Sequence, residues 1–318
     1  MKVTLYGTRG SLPVAGPAYA KHGGRTTCLR LESDCLPKGH CLSIDAGSGI
    51  YPLGLDAIKE GVTEVTILFT HYHPDHTDGL PLSPITFNPN VKINCIGPLE
   101  MGIGPEAMLR DRMKSPYFPV DFIKVGHRFN CEGLRNPSTK VIVFHPEAGM
   151  RLIDIDKLRI AEQKAVAQIQ INGGSYNIND CLIIKMIWSN HPERTISYRF
   201  EERPTGKIFV FLTDHENTED VPAEMLGHLK GADLLVMDSQ YSSQKYRLCA
   251  GFGHGTPSYC VYVASRANIP RLGLTHHDMM STDDKIEELV SVAKQYAWEV
   301  AQYGGDIFAC ADDMVIEI

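Results

Sequence analysis

The chain has no run approaching the roughly 18 to 20 uninterrupted apolar residues that a membrane-spanning helix needs. Its start, MKVTLYGTRGS, lacks the basic, apolar and small-residue succession of a signal peptide and reads as a strand followed by a glycine loop. A cytoplasmic protein with no membrane partner is expected. CxxC pairs are also missing. Nine cysteines, an odd number, are scattered from Cys28 to Cys310, which suits reduced thiols in a reducing compartment. Cys28, Cys35 and Cys41, with His40 beside the last, offer a small zinc site in principle, but their spacing matches none of the usual zinc-ribbon patterns. Positive charge is scarce as well: 31 Lys and Arg face 38 Asp and Glu, a formal net charge of −7. Wholesale binding to a nucleic-acid backbone is therefore disfavoured, and phosphate recognition must be local. No low-complexity linker and no internal repeat is visible, so residues 1–318 are expected to form one domain.

What is present points to a folded chain with a buried core. Hydrophobic residues make up 43% and charged residues 22%, enough to bury a core. Short Val/Ile/Leu runs recur between glycine turns: Lys2 to Tyr6, Thr26 to Leu31, His40 to Ile44, Val65 to Phe69, Val91 to Ile96, Lys140 to Phe144, Cys181 to Trp188, Thr195 to Phe200, Lys207 to Leu212, Leu234 to Met237 and Arg271 to Leu274. Many end on His or Asp, so strand after strand delivers a polar residue to one edge. Helical patterns are fewer. Pro105 to Lys114 and Pro222 to Leu229 each begin with proline at a first-turn position, Thr256 to Ala267 follows a glycine loop, and Asp283 to Tyr303 is the longest amphipathic stretch. Strands in groups with flanking helices predict an α/β fold with two packed sheets. The least regular segment, Gly97 to Pro137, is placed to cover a site. NGGSYNIN at Asn172 to Asn179 reads as a turn between a helix and a long strand.

Thirteen histidines are the outstanding count. In VTILFTHYHPDHTDG an apolar strand ends in His71, His73, Asp75 and His76. Alternate residues His71 and His73 can point to one side and chelate one ion; Pro74 then turns the chain so that Asp75 and His76 face a second position. A merely solvated His-rich loop has no reason to follow an apolar strand in this order.

His71-Tyr72-His73-Pro74-Asp75-His76 matches HxHxDH, the signature of the metallo-β-lactamase superfamily, and the chain resembles that superfamily over nearly its whole length. The resemblance implies an αββα sandwich of two mixed β-sheets flanked by helices, with a binuclear metal site at one edge. Strand-end residues supply the other ligands: His191 after CLIIKMIWSN, Asp214 after KIFVFLT and His276 after RLGLT. By resemblance, one ion takes His71, His73 and His191, the other takes Asp75, His76 and His276, and Asp214 is shared. Imidazole with carboxylate suits Zn²⁺ and tolerates Mn²⁺, iron or cobalt. A hydroxide between two such ions, its pKa depressed toward neutrality, is the expected nucleophile.

The metal shell does not choose the substrate. LLVMDSQYSSQKYRLCAGFGHGTPSYC places Asp238 at a strand end and His254 in a glycine loop before a helix. Phosphodiester hydrolysis must expel an alkoxide, and a protonated His254 placed by Asp238 can supply the proton. Asp75, Asp238 and His254 are thus the candidate catalytic side chains. The segment resembles the phosphodiesterase branch that includes the tRNA 3′-processing ribonucleases, with Gly255 before Thr256 as a small departure in the loop. GTRGSLPV, GGRTTC, DAGSGI, PYFPV, HPERTISYRF, DSQY, GFGHGT and LTHHD together look like the cyclic-nucleotide phosphodiesterase group of anti-Pycsar type. That resemblance implies a 3′,5′-cyclic mononucleotide substrate, a nucleoside 5′-monophosphate product and a homodimer.

Several residues carry weaker expectations. Asp45 braces the metal loop; His277 and Asp278 act behind the ligand His276. Arg9, Arg25 and Arg194 sit in loops that can face a phosphate but more often brace loops, and Tyr117 and Phe118 can stack on a base or be core. His215 has no assigned role, and His22, His127, His145 and His228 are expected to be solvated or structural. The main competing enzyme is a tRNA 3′-end endonuclease; resemblance to that group implies an extended arm that grips tRNA, and no long basic Gly/Pro-rich insertion is present, so large nucleic acid is not the expected partner. A non-catalytic nucleotide sensor would more naturally have lost ligands.

Overall fold

The computed structural model describes residues 1–164 and 167–318. In chain order, β1 (Lys2–Gly7), β2 (Cys28–Glu32), β3 (His40–Ile44), β4 (Glu64–Leu68), β5 (Lys92–Pro98) and β6 (Phe129–Leu134) build most of one sheet. Strands β7 (Lys140–His145) and β8 (Gly149–Asp154) open the second, the hairpin β9 (Gln168–Ile171) and β10 (Gly174–Asn177) stands apart, and β11 (Leu182–Trp188), β12 (Ile196–Glu202), β13 (Lys207–Leu212), β14 (Leu234–Asp238), β15 (Arg271–Thr275) and β16 (Asp306–Ala309) complete the second sheet. Strand β17 (Val315–Glu317) returns to pair with β1. The spatial orders are β17-β1-β2-β3-β4-β5-β6 and β16-β15-β14-β13-β12-β11-β7-β8. Both sheets are mixed: β3 to β6 and β13 to β16 run parallel, and the remaining neighbours are antiparallel.

Side-chain alternation explains the layers. Along β13, Phe209 and Phe211 enter the core between the sheets, while Val210 and Leu212 enter the layer beneath the helices. A strand buried on both faces reads as an unbroken apolar run, as KIFVFL does. Leu5, Leu31 and Ile44 of the first sheet meet Phe144, Phe200 and Phe211 of the second in one continuous core. Helices Ile50–Lys59 and Pro105–Arg112 cover the outer face of the first sheet, and Ala223–Leu229, Pro257–Ala267 and Asp283–Tyr296 cover that of the second. The expected αββα sandwich is therefore present. Helix starts follow capping chemistry: Thr256 accepts from the Tyr259 amide and Thr282 from the Lys285 amide, with Asp283 and Asp284 at the positive end of the helix dipole.

Four local expectations need correction. Asn172 and Gly173 turn the β9–β10 hairpin, so NGGSYNIN is not a simple helix-to-strand turn. Pro222 is the N-cap, in an extended conformation, and its helix begins at Ala223. The long C-terminal helix stops at Tyr296, passes into a π-helical turn over Ala297–Ala301 and ends at Gln302, whose φ is +48°. The irregular segment after Gly97 contains, besides the expected helix, which ends at Arg112 and not Lys114, the strand β6. Among the described residues no helix is long and apolar enough to cross a membrane.

The two sheets are stitched at one edge. The Ile196 amide donates to Thr70 O at 2.8 Å, and the buried Tyr198 hydroxyl donates to Phe69 O at 2.7 Å, which ties β12 to the chain entering the histidine loop. On the outer face of β12, the Ser197 hydroxyl donates to Phe211 O, which leaves its oxygen to accept from His228 Nε2 at 3.2 Å. Burial, and then the Arg199 guanidinium, push the His228 pKa down to about 3. A histidine held neutral in this way contributes stability above its unfolded pKa of 6.5, and that contribution is lost as pH falls toward the folded value. Urea unfolding at pH 7 and pH 5 is expected to show a loss that shrinks by about 2 kcal/mol in His228→Gln; an unchanged acid slope would place the acid sensitivity elsewhere.

Candidate metal centre

All the predicted ligands lie where strands end on the same edge of the two sheets. His71 follows β4, His191 follows β11, Asp214 follows β13 and His276 follows β15, while Pro74–Thr77 forms a single helical turn that carries Asp75 and His76 inward. Two clusters result: His71, His73, His191 and Asp214, and beside it Asp75, His76 and His276, each with its donor atoms within 4.8 Å of one another. The ligand-forming clusters among the described residues include none of Cys28, Cys35 and Cys41.

Asp214 joins the two groups. Its Oδ2 lies 3.5 Å from His71 Nε2 and 3.9 Å from His191 Nε2, whereas Oδ1 lies 3.2 Å from His76 Nε2 and 3.4 Å from His276 Nε2. The nitrogens of His76 and His276 also face each other at 3.2 Å, and Asp75 Oδ2 is 3.2 Å from His276 Nε2. Buried imidazole nitrogens facing one another and sharing the same carboxylate oxygens form a donor set that a cation between them would satisfy.

The outer nitrogens are already engaged. His71 Nδ1 lies 3.1 Å from Thr70 Oγ1, His76 Nδ1 is 2.8 Å from Asp45 Oδ2, His276 Nδ1 is 2.7 Å from Gln240 Oε1 and His191 Nδ1 is 3.2 Å from Glu193 O. With Nδ1–H donating outward, a neutral ring presents an Nε2 lone pair inward. At His76 burial favours that form, but the Asp214, Asp75 and Asp45 carboxylates outweigh it and push the imidazole well above its usual range, so a cation would displace its inward proton. The Nε2 atoms of His71 and His191 are buried and have no hydrogen-bond partner among the described residues. Burial and the neighbouring His76 push His71 well below the usual imidazole range, so it is neutral and able to ligate. Burial opposes ionisation of Asp75 and Asp214, but the surrounding imidazoles outweigh it and hold both as carboxylates. On this donor set the residues fit divalent metal binding. His73 departs from the pattern: its side chain is 41% exposed and its Nε2 leans to Glu193 Oε2 at 3.3 Å.

Backbone conformation stores strain here. Asp45, Asp214 and His276 have φ values of +58°, +47° and +58°, a region that costs non-glycine residues of order 1 kcal/mol or more each. Two glycines press on the rings. A Cβ at Gly253 would lie 2.1 Å from His191 Cδ2, and one at Gly10 would lie 2.5 Å from His276 Cε1.

Asp238, fully buried at the end of β14, accepts from the Gln240 amide through Oδ1 and sits 3.0 Å from His254 Nδ1 through Oδ2. Burial pulls the His254 pKa down, but the Asp238 carboxylate overrides it and the value rises to about 9. His254 stacks on His276 at 5.0 Å, and Asp214, His254 and His276 make a third close cluster. Its Nε2 has no polar partner among the described residues.

The weaker expectations divide. Asp45 braces the loop through His76 Nδ1, the Thr70 amide and the Thr70 hydroxyl. His277 bonds Cys310 O, and Asp278 bonds Lys245 and the Met280 amide, so their hydrogen bonds go away from the centre. Arg9 is fully buried and donates to Gly23 O, Asp278 O and Ser281 O, while Arg25 holds Tyr6 O and Asp313. Both brace loops. Arg194 lies over Trp188 and donates to Arg135 O. Tyr117 is exposed and lines, with Tyr72 and Phe118, a cleft of about 730 Å³ beside the histidine loop. His215, unassigned from sequence, is buried and neutral: burial first lowers its pKa, to about 4, and its Nδ1 accepts from the Asn190 amide, next to His191. Gln240, Thr70 and Ser11, whose amide donates to Asp75 Oδ2 at 2.7 Å, were not anticipated.

Fold and site together define a metal-dependent hydrolase built on two sheets. Residues 44–277 match the model of the β-lactamase superfamily domain, and the chain belongs to that superfamily. It is similar to a ribonuclease Z of Picrophilus torridus, 24% identical over 313 residues that cover 89% of this chain and 87% of the relative. Among solved structures it is similar to unliganded yeast PDE1, with a TM-score of 0.62 at 14% identity over 100% of this chain and 99% of that one. Human tRNase Z, short form, gives 0.57 at 17% identity over 100% and 99%. At these identities the structural likenesses establish the fold.

Asp45→Asn, which keeps the left-handed turn, is expected to keep the fold and to weaken metal binding by about 10-fold or more, because His76 loses the charged oxygen that orients it. Competition with a chromogenic chelator measures this, and wild-type affinity in the variant would remove the bracing role.

Proposed function

We propose that the chain hydrolyses small phosphodiesters, with a 3′,5′-cyclic mononucleotide as substrate and a nucleoside 5′-monophosphate as product. The observation that carries this reading is the Asp238–His254 pair beside the converging ligands, at 3.0 Å. A thiolate leaves a thioester without a proton, whereas an alkoxide leaving phosphorus needs one.

His71, His73 and His191 would hold one divalent ion and Asp75, His76 and His276 the other, with Asp214 shared; the nitrogen-rich set favours Zn²⁺. Bound ions would supply Lewis-acid activation of water and neutralise charge on the phosphoryl oxygens. The chain's own residues do the rest. Asp238 fixes the His254 ring through Nδ1, which leaves Nε2 to donate its proton to the departing 3′ oxygen. The incoming water oxygen forms its bond to phosphorus as the P–O3′ bond breaks, and the water proton is lost to solvent. His73 is half-exposed, and the exposed Tyr117 lines a cleft shared with Tyr72 and Asp78 of the histidine loop.

The relatives' name favours a second reading, cleavage of tRNA precursors at the 3′ end by the same residues. The net charge of −7 and the lack of a long basic insertion favour the small substrate.

A panel of cyclic AMP, GMP, CMP and UMP, bis-p-nitrophenyl phosphate, a β-lactam and a tRNA precursor separates the readings. Turnover of at least one cyclic mononucleotide is expected; rapid tRNA cleavage without it overturns the small-substrate proposal. His254→Ala is expected to retain its metal and to lose about 10²-fold or more in kcat on the unactivated substrate. Retained turnover there would remove the proton-donor role.

A further inference from the structure

We propose that Glu216 is a positioning residue: its carboxylate clamps the loop that carries His254, and so sets the proton donor against the metal ligands. The inference rests on the phosphodiesterase reading above and adds a residue that neither motif nor resemblance marks.

Glu216 lies two residues beyond Asp214, in the loop after β13. Its carboxylate accepts from three donors of a different segment: the Gly251 amide and the Tyr246 hydroxyl (3.1 Å) through Oε1, and the Gly253 amide (3.0 Å) through Oε2. Both oxygens of one half-buried acid thus accept from the backbone amides on either side of Phe252, two residues before His254, and the Tyr246 hydroxyl adds a third bond. Hydrogen bonds to a charged acceptor are worth about 1.5–3 kcal/mol each, more than a neutral loop contact supplies.

The loop needs such a hold. Gly251 and Gly253 have φ of +92° and +90°, so two of the four residues from Gly251 to His254 are among the most freely moving in a chain. Phe252 between them is 63% exposed and contributes little packing. Without the clamp, conformational entropy favours a spread of loop positions and His254 with them.

The clamp also reaches the ligands. The Glu216 amide donates to Asn190 O at 2.8 Å, and Asn190 Nδ2 returns a bond to Glu216 O at 3.1 Å, which locks this residue to the segment that ends in His191. Gly253 in turn packs against the His191 ring. One residue therefore registers three loops, those bearing Asp214, His191 and His254: its backbone holds the His191 segment and its carboxylate holds the His254 loop. Asp238 orients the imidazole ring, and Glu216 places the backbone from which that ring projects.

The test compares wild type with Glu216→Gln and Glu216→Ala on two substrates. One is bis-p-nitrophenyl phosphate, whose leaving group departs without a proton; the other is whichever unactivated diester the wild type cleaves. Loss of the clamp is expected to lower kcat on the unactivated diester by about 10-fold or more, with less than about 3-fold change on the nitrophenyl substrate and unchanged metal content. Gln keeps one accepting oxygen and should fall between wild type and Ala. Hydrogen exchange at the Gly251 and Gly253 amides should accelerate in both variants, in protein without added metal as well. Equal loss on both substrates, or unchanged exchange, overturns the proposal. If Ala does not fold, Gln alone decides. Wild type inactive on every diester overturns the phosphodiesterase reading itself, and this proposal with it, a failure that appears before any variant is made.

Discussion

A single carboxylate between two sets of imidazoles sets the terms for the rest of the molecule. Asp214 turns one oxygen toward His71 and His191 and the other toward His76 and His276. For that to happen, a loop from the second sheet must meet a loop from the first within hydrogen-bonding range. The sheets have to end at a common edge and stay in register there. The bonds from Ile196 and Tyr198 to Thr70 O and Phe69 O perform that alignment, and the apolar core between the sheets makes it stiff. Burying so many polar groups costs free energy unless each finds a partner. The outward nitrogens find Thr70, Asp45, Gln240 and the Glu193 carbonyl; the inward ones are left facing each other.

Much of the site could be read in the chain because its logic is local. His71 to His76 are contiguous, and the strand before them announces which edge they occupy. His191, Asp214 and His276 each follow an apolar strand, so a rule about strand ends combined with family resemblance was enough to find them, and the structure brings them together. The supporting residues obey no such rule. Gln240 reaches His276 across 36 positions and Ser11 reaches Asp75 across 64. A polar residue in a loop carries no mark of its partner until the fold brings the two together, which is why Thr70, Gln240, Ser11 and Glu216 were invisible and His215 had no assigned role.

The fold divides in the same way. Strands buried on both faces, such as KIFVFL and the LIIKMIW strand, show as dense apolar runs. The strands that the apolar pattern does not show are short or carry polar residues at an edge: FNCEGL in β6, GMRLID in β8, QIQI and GSYN in the β9–β10 hairpin, DIFA in β16 and VIE in β17. Helix Ile50–Lys59 was hidden for another reason, since Pro52 and Gly54 disguise its period. Gly54 is there because a side chain would press on Ser83 Oγ, at 2.5 Å.

The left-handed backbone at Asp45, Asp214 and His276 bears on how this protein can be dissected. Alanine at any of the three would remove a functional group and also leave a residue in a conformation it resists, so lost activity would merge chemistry with local refolding. Asparagine tolerates that conformation best among the non-glycine residues. Replacement by Asn keeps the turn and deletes the charge or the imidazole, and Gly at the same positions would relax the backbone as a control. Comparing the two separates what the side chain does from what the bend in the chain does.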